Sequence, residues 1–115
     1  ERFPDNTAIK QNYIDALLAT QKAEPARRLL EDMIHGVVTP ETYESLAQAY
    51  SQLGDEAESH RYLAEAYYAD GQNRTAIMHL RLARKLAGDN FYLNAIIDER
   101  LHTFVEDEKD RRKNK

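Results

Sequence analysis

Apolar and small residues recur along this chain three and four positions apart, the spacing of one helix face, and isolated glycines interrupt the pattern at regular intervals. Gly36, Gly54, Gly71 and Gly88 stand 18, 17 and 17 residues apart, the length of a helix and its turn. Each falls where a left-handed C-cap would close a helix. Start signals lie between them: Asp5 or Asn6, Pro25 in Glu24-Pro25-Ala26, Thr39-Pro40-Glu41, Asp55, Asn73 and Asp89-Asn90. Together they predict an all-α chain of six helices near 6–21, 24–35, 40–53, 56–70, 73–87 and 90–108, paired as hairpins 6–35, 40–70 and 73–108.

The stretch Tyr62 to Gly71 answers to two neighbours at once. Read backwards, Tyr43, Leu46, Ala47 and Tyr50 fill a first helix, and Ser59, Leu63 and Ala66 supply small, large and small positions in a second. Read forwards, Leu63, Ala64 and Tyr67 belong to a first helix and Ala76, Leu80 and Ala83 to the next. The fourth helix is thus apolar or small on two faces, which predicts burial between its neighbours. A nine-residue step from the first-helix position to the small second-helix position holds in all three repeat readings: Leu17 to Ala26, Tyr50 to Ser59, and Tyr67 to Ala76. Small residues at these positions let helix axes approach to about 8–10 Å.

The last helix departs from the pattern. Phe91, Tyr92, Leu93, Ile96, Ile97, Leu101, Phe104 and Val105 form a broad apolar face opposite charged residues, as a terminal cap with a polar outer side requires. One domain over 1–109 is expected, followed by a charged, frayed tail over 110–115. The sequence opens Glu-Arg-Phe-Pro with neither an initiator Met nor a secretory signal, which reads as a piece of a longer or processed protein.

Composition narrows the function classes. Without cysteine there is no disulfide, thiolate nucleophile or Cys-ligated zinc. A net charge of −4 from 16 basic and 20 acidic interspersed residues lacks the basic stripe of a nucleic-acid binder. No apolar run reaches the roughly 20 residues of a membrane span. The four histidines, His35, His60, His79 and His102, are far apart in sequence and form no His-Glu-x-x-His motif. His102 and Glu106 share a helical face but make only two ligands, and His35 sits where it complements a helix C-terminus. With no phosphate loop and no nucleophile elbow either, the chain reads as non-catalytic, with no metal or cofactor and no nucleic-acid partner. Tyr13, Tyr50 and Tyr67 read as packing residues. Tyr68 turns about 100° from Tyr67 and, with Tyr43 and Tyr62, reads as partly exposed, a candidate anchor for a partner.

Tyr43 to Ala83 resembles tetratricopeptide repeats, with Tyr for Trp, Ala for Gly, and no Pro closing either repeat. A narrower likeness covers about 40–101. Leu46-Ala47-Gln48-Ala49, Ala64-Glu65-Ala66-Tyr67, Asp70-Gly71-Gln72, Ala76-Ile77, Leu80 and Ile96-Ile97-Asp98-Glu99-Arg100-Leu101 resemble the C-terminal repeat domain of BepA (YfgC)-type periplasmic zinc metalloproteases. The resemblance implies a superhelical solenoid of antiparallel helices with a C-terminal cap. It also implies a catalytic domain lying upstream of this chain, a periplasmic location, and a role in outer-membrane protein assembly and quality control. The partners it implies are outer-membrane β-barrel proteins or their assembly machinery. In such arrays the first helix of each pair lines the concave face. That face would here present Gln11, Asp15 and Leu18, then Glu44, Gln48 and Ser51, and, if the fourth helix acts as a first helix, Arg61, Glu65 and Tyr68. Gln11, Asp15, Glu44, Gln48, Arg61, Glu65 and Tyr68 are the expected partner-binding residues, suited to an extended or strand-like segment rather than to a C-terminal carboxylate. Alternatives are a general scaffold, and a homodimer formed through a solenoid end, where the degraded first repeat leaves the cover of Ile9, Leu18 and Ile34 open.

Overall fold

Thr39, in an extended conformation, closes a capping box. Its hydroxyl accepts from the Thr42 amide, and the Thr42 hydroxyl accepts from the Thr39 amide, both at 3.4 Å. Asp55 caps the next helix by accepting from the Glu58 amide at 3.1 Å, and Asn90 accepts from the Leu93 amide at 3.0 Å. The computed structural model describes residues 7–36 and 38–113. Six helices result: α1 Thr7–Ala19, α2 Ala23–Met33, α3 Pro40–Gln52, α4 Glu56–Ala69, α5 Asn73–Ala87 and α6 Phe91–Lys113. No strand occurs among the described residues. The start signals expected at Asp5 and Asn6 lie outside them.

The C-caps correct the even reading of the glycines. Gly54, Gly71 and Gly88 have φ of +84°, +81° and +56°, but Gly36 is not left-handed. Gln21, at φ +62°, takes the left-handed place at the end of α1. The bonds are those of a glycine-closed helix: the Lys22 amide donates to the Leu17 carbonyl at 2.8 Å and the Gln21 amide to Leu18 at 3.2 Å. The same pair of bonds closes α3 through Gly54 and Asp55, and α4 through Gly71 and Gln72.

Successive helices pack side by side, α4 most closely against α3 and α5, and α1 also touches α3. Two apolar clusters form. Ile14, Leu17, Leu18, Ala26, Leu30, Leu46, Ala47 and Ala49 gather with Tyr62 in the first. Ala57, Ala64, Ala76, Ile77, Leu80, Ala83, Leu93, Ile97 and Phe104 make the second. The two-sided pattern on α4 has this consequence: Tyr62 enters the first cluster, Ala57 and Ala64 the second. Small residues at the crossings let backbones approach, and buried Ser59 donates to the Ala47 carbonyl at 2.8 Å across α3 and α4. Leu18 is buried and Ile34 packs on the first core, so of the three residues whose cover the sequence leaves open only Ile9 is exposed.

α6 runs past the expected boundary at 108, and residues 110–113, expected as frayed tail, are helical. Arg111 explains the extension. Its guanidinium donates to the Gly71 carbonyl at 2.7 Å and to Asn73 Oδ1 at 3.0 Å, so it satisfies groups left over at the α4–α5 turn. Arg74 and Glu108 pair alongside at 3.0 Å.

Candidate interaction surface

Three of the expected binding residues, Arg61, Glu65 and Tyr68, lie along one side of α4, and each is engaged within the chain. Arg100 of α6 forks onto Glu65 with bonds of 2.7 and 3.0 Å, and its guanidinium covers the rings of Phe104 and Tyr68 at 5.0 and 5.6 Å. The Tyr68 ring stacks on Phe104 at 4.1 Å, and its hydroxyl donates to Asp107. Arg61 pairs with Glu58 at 2.5 Å and lies 4.2 Å over the ring of Tyr62. Tyr62, expected to be partly exposed, is buried between Tyr43 and Tyr50 at centroid distances of 6.3 and 5.6 Å, and donates to Glu31 at 3.2 Å. This is a seam of tyrosine, arginine and carboxylate that ties α4 to α2, α3 and α6. Burial raises the ionisation of Tyr43, Tyr50 and Tyr62 above the ordinary tyrosine value. Tyr68 is raised first by its bond to Asp107 and then by burial.

The other expected residues lie elsewhere. Gln11 Nε2 donates to Asp15 at 2.8 Å and to Ser45 at 3.0 Å, bridging α1 to α3. Gln48 is exposed on α3. Glu44 borders a groove of about 480 Å³ with Pro40, Leu63, Ala66, Tyr67, Asp70 and Gln72. Leu63 and Tyr67 line this groove from a different side of α4 than Glu65 and Tyr68, so the seven residues do not share one face.

The least satisfied surface was not among the expectations. Eight large apolar side chains are exposed among the described residues, and five of them fall between positions 78 and 92. Met78, Leu82 and Leu86 follow one another at four-residue intervals along the outside of α5. Phe91 and Tyr92, 87% and 78% exposed, open α6 at the same end of the hairpin. Arg81 and Lys85 are exposed on the same α5 face, since positions 78, 81, 82, 85 and 86 make one helical stripe. Neither cation has an ion pair among the described residues, and α5 contains no acidic residue. Arg84, one position round, is already paired with Asp98 of α6 at 2.8 Å. The signal was present in the sequence: α5, like α4, is apolar on two sides, but only its Ala76–Leu80–Ala83 side is covered.

No group of three His, Cys, Asp or Glu able to hold a metal occurs among the described residues. His102 is exposed, and Glu106 pairs with Lys109 at 3.4 Å. Among the described residues no helix is long and apolar enough to cross a membrane. No protein-family model, no curated protein and no solved structure matches this chain.

Proposed function

We propose that this chain is a non-catalytic protein-interaction module, a tetratricopeptide-like stack of helical hairpins whose docking face is the outside of α5 and the start of α6. The observation that carries this reading is the run of exposed apolar side chains Met78, Leu82, Leu86, Phe91 and Tyr92, bordered by the cations Arg81 and Lys85, which have no ion pair among the described residues. Exposed methionine and aromatic side chains beside arginine are the composition of an interface rather than of a solvated surface. The basic, acid-free character of α5 selects the occupant: an acidic amphipathic segment of another protein, its apolar residues spaced to meet Met78, Leu82 and Leu86.

The likeness to the repeat domain of BepA-type periplasmic metalloproteases supplies the finer proposal. In that setting the module holds outer-membrane barrel proteins or their assembly factors for a protease domain elsewhere in the protein. The even helix-and-turn spacing, and the contact of α1 with α3 as well as α2, support the repeat reading.

Photo-crosslinking from position 82 tests both, with exposed Arg28 as the control position. The expected result is a crosslink from 82 alone to an outer-membrane barrel or assembly factor, mapped to an acidic segment and competed by a peptide of that segment. Met78→Asp with Leu86→Asp, both at more exposed positions of the same stripe, should abolish it without moving the melting temperature. Equal crosslinking from 82 and 28, or none from 82 in folded protein, would overturn the docking face.

A further inference from the structure

His60 and His79 are separated by 19 residues, and the packing of α4 on α5 sets their Nδ1 atoms 3.0 Å apart. The ring planes are within 17° and the ring centres 5.2 Å apart. That centre-to-centre distance exceeds the nitrogen separation by about two ring radii, so both nitrogens lie close to the line joining the centres. The imidazoles therefore meet edge to edge rather than face to face. In the neutral pair one Nδ1 bears a hydrogen and the other accepts it. Tyr67 lies parallel to His79 within 5° at 5.2 Å, and buried Ala64, Ala76 and Ala83 fix the helix crossing beneath. Both rings are half-buried on rigid elements, and the docking face makes no use of either.

We infer that His60 and His79 form a cross-helix clamp for a divalent transition-metal ion that favours imidazole, with Cu2+ held most tightly and Ni2+ and Zn2+ less so. Imidazole nitrogen binds such ions at about 2.0–2.1 Å, so two nitrogens 3.0 Å apart subtend roughly 95° at a shared ion. That is the angle of neighbouring positions in a square-planar or tetragonal site, the preference of Cu2+ and Ni2+, and it is narrower than zinc's tetrahedral angle. In the edge-to-edge pair the two Nδ1 atoms face one another, so each ring must pivot by about 40° about its Nδ1 for both lone pairs to converge on one ion. No third His, Cys, Asp or Glu joins the cluster among the described residues, so water fills the remaining positions and the ion is exchangeable. The protons balance. The hydrogen shared between the two Nδ1 atoms moves through solvent to Nε2 of its own ring, leaving two neutral imidazoles with both Nδ1 lone pairs on the metal and no net proton released.

Titration of the whole chain with Cu2+, followed by visible absorption and electron paramagnetic resonance, tests the clamp. The expected result is one equivalent bound with two nitrogen ligands, at least tenfold weaker binding in His60→Gln and in His79→Ala, and unchanged binding in His35→Ala and His102→Ala. His60→Gln retains a hydrogen-bonding group toward His79, so its loss of copper is not a loss of fold, and circular dichroism checks this. Equal binding by the parent and His60→Gln, or no stoichiometric binding by the parent, would overturn the inference.

Discussion

Arg100 and Arg81 sit on adjacent helices and have opposite fates. Arg100 forks onto Glu65 and covers two aromatic rings, whereas Arg81 stands in solvent beside Met78 and Leu82 with no carboxylate partner among the described residues. The same contrast separates the two surfaces. Along the inner seam, tyrosines, arginines and carboxylates satisfy one another, and what looks in the sequence like recognition chemistry is spent on holding α2, α3, α4 and α6 together. On the outer face of α5 the residues are plainer and nothing answers them. A side chain's type therefore says less about its role than whether the fold already supplies its partner.

Two phenylalanines on one helix give the sharpest break between the surfaces. Phe104 is 0% exposed and stacks on Tyr68, so Phe104→Ala should cost about 3–5 kcal/mol. Phe91→Ala should change stability by no more than about 0.5 kcal/mol while weakening partner capture. Urea midpoints at constant slope check the pair, and a comparable loss from both would erase the distinction. A smaller effect is expected for Arg100→Ala. Glu65, with its side chain 12% exposed, would lose its cation, at about 1–3 kcal/mol after allowance for the partial exposure of Arg100. The double variant with Glu65→Gln should recover part of that loss.

The seam tyrosines give the mildest test, through pH. Their folded ionisation lies above the unfolded value, so the folded state holds the proton more tightly. Their contribution is complete below about pH 10 and is lost as pH rises beyond it. Denaturation midpoints should stay level up to that point and fall above it, with late phenolate absorbance from the same rings. Stability that rose above pH 10 would contradict the assignment.

Helix number, most boundaries and the two-sided character of α4 were legible because they rest on local chemistry: glycine spacing, caps and apolar periodicity. The glycine at 36 misled, since Gln21 shows that another residue can take the left-handed place when the bonds around it are made. The seam was not legible, because Arg100 meets Glu65 across 35 positions and Tyr68 meets Asp107 across 39. No spacing rule connects residues so far apart. His60 and His79 were opaque for the same reason. The outer face of α5 was legible by the periodicity that marked α4, but only the structure reveals which of its two apolar sides has been covered.

The division of the core has a consequence for how the molecule comes apart. Stacked hairpins can melt from either end, each unit failing nearly alone. Here one helix sends Tyr62 into one cluster and Ala57 and Ala64 into the other, so neither half can dissolve without stripping a side of α4. Arg111, bonded across 40 positions to the turn that ends α4, adds the last turns of α6 to the same event. Slow amide exchange should therefore centre on α4 and reach its neighbours together, as one cooperative unit rather than a row of separable ones.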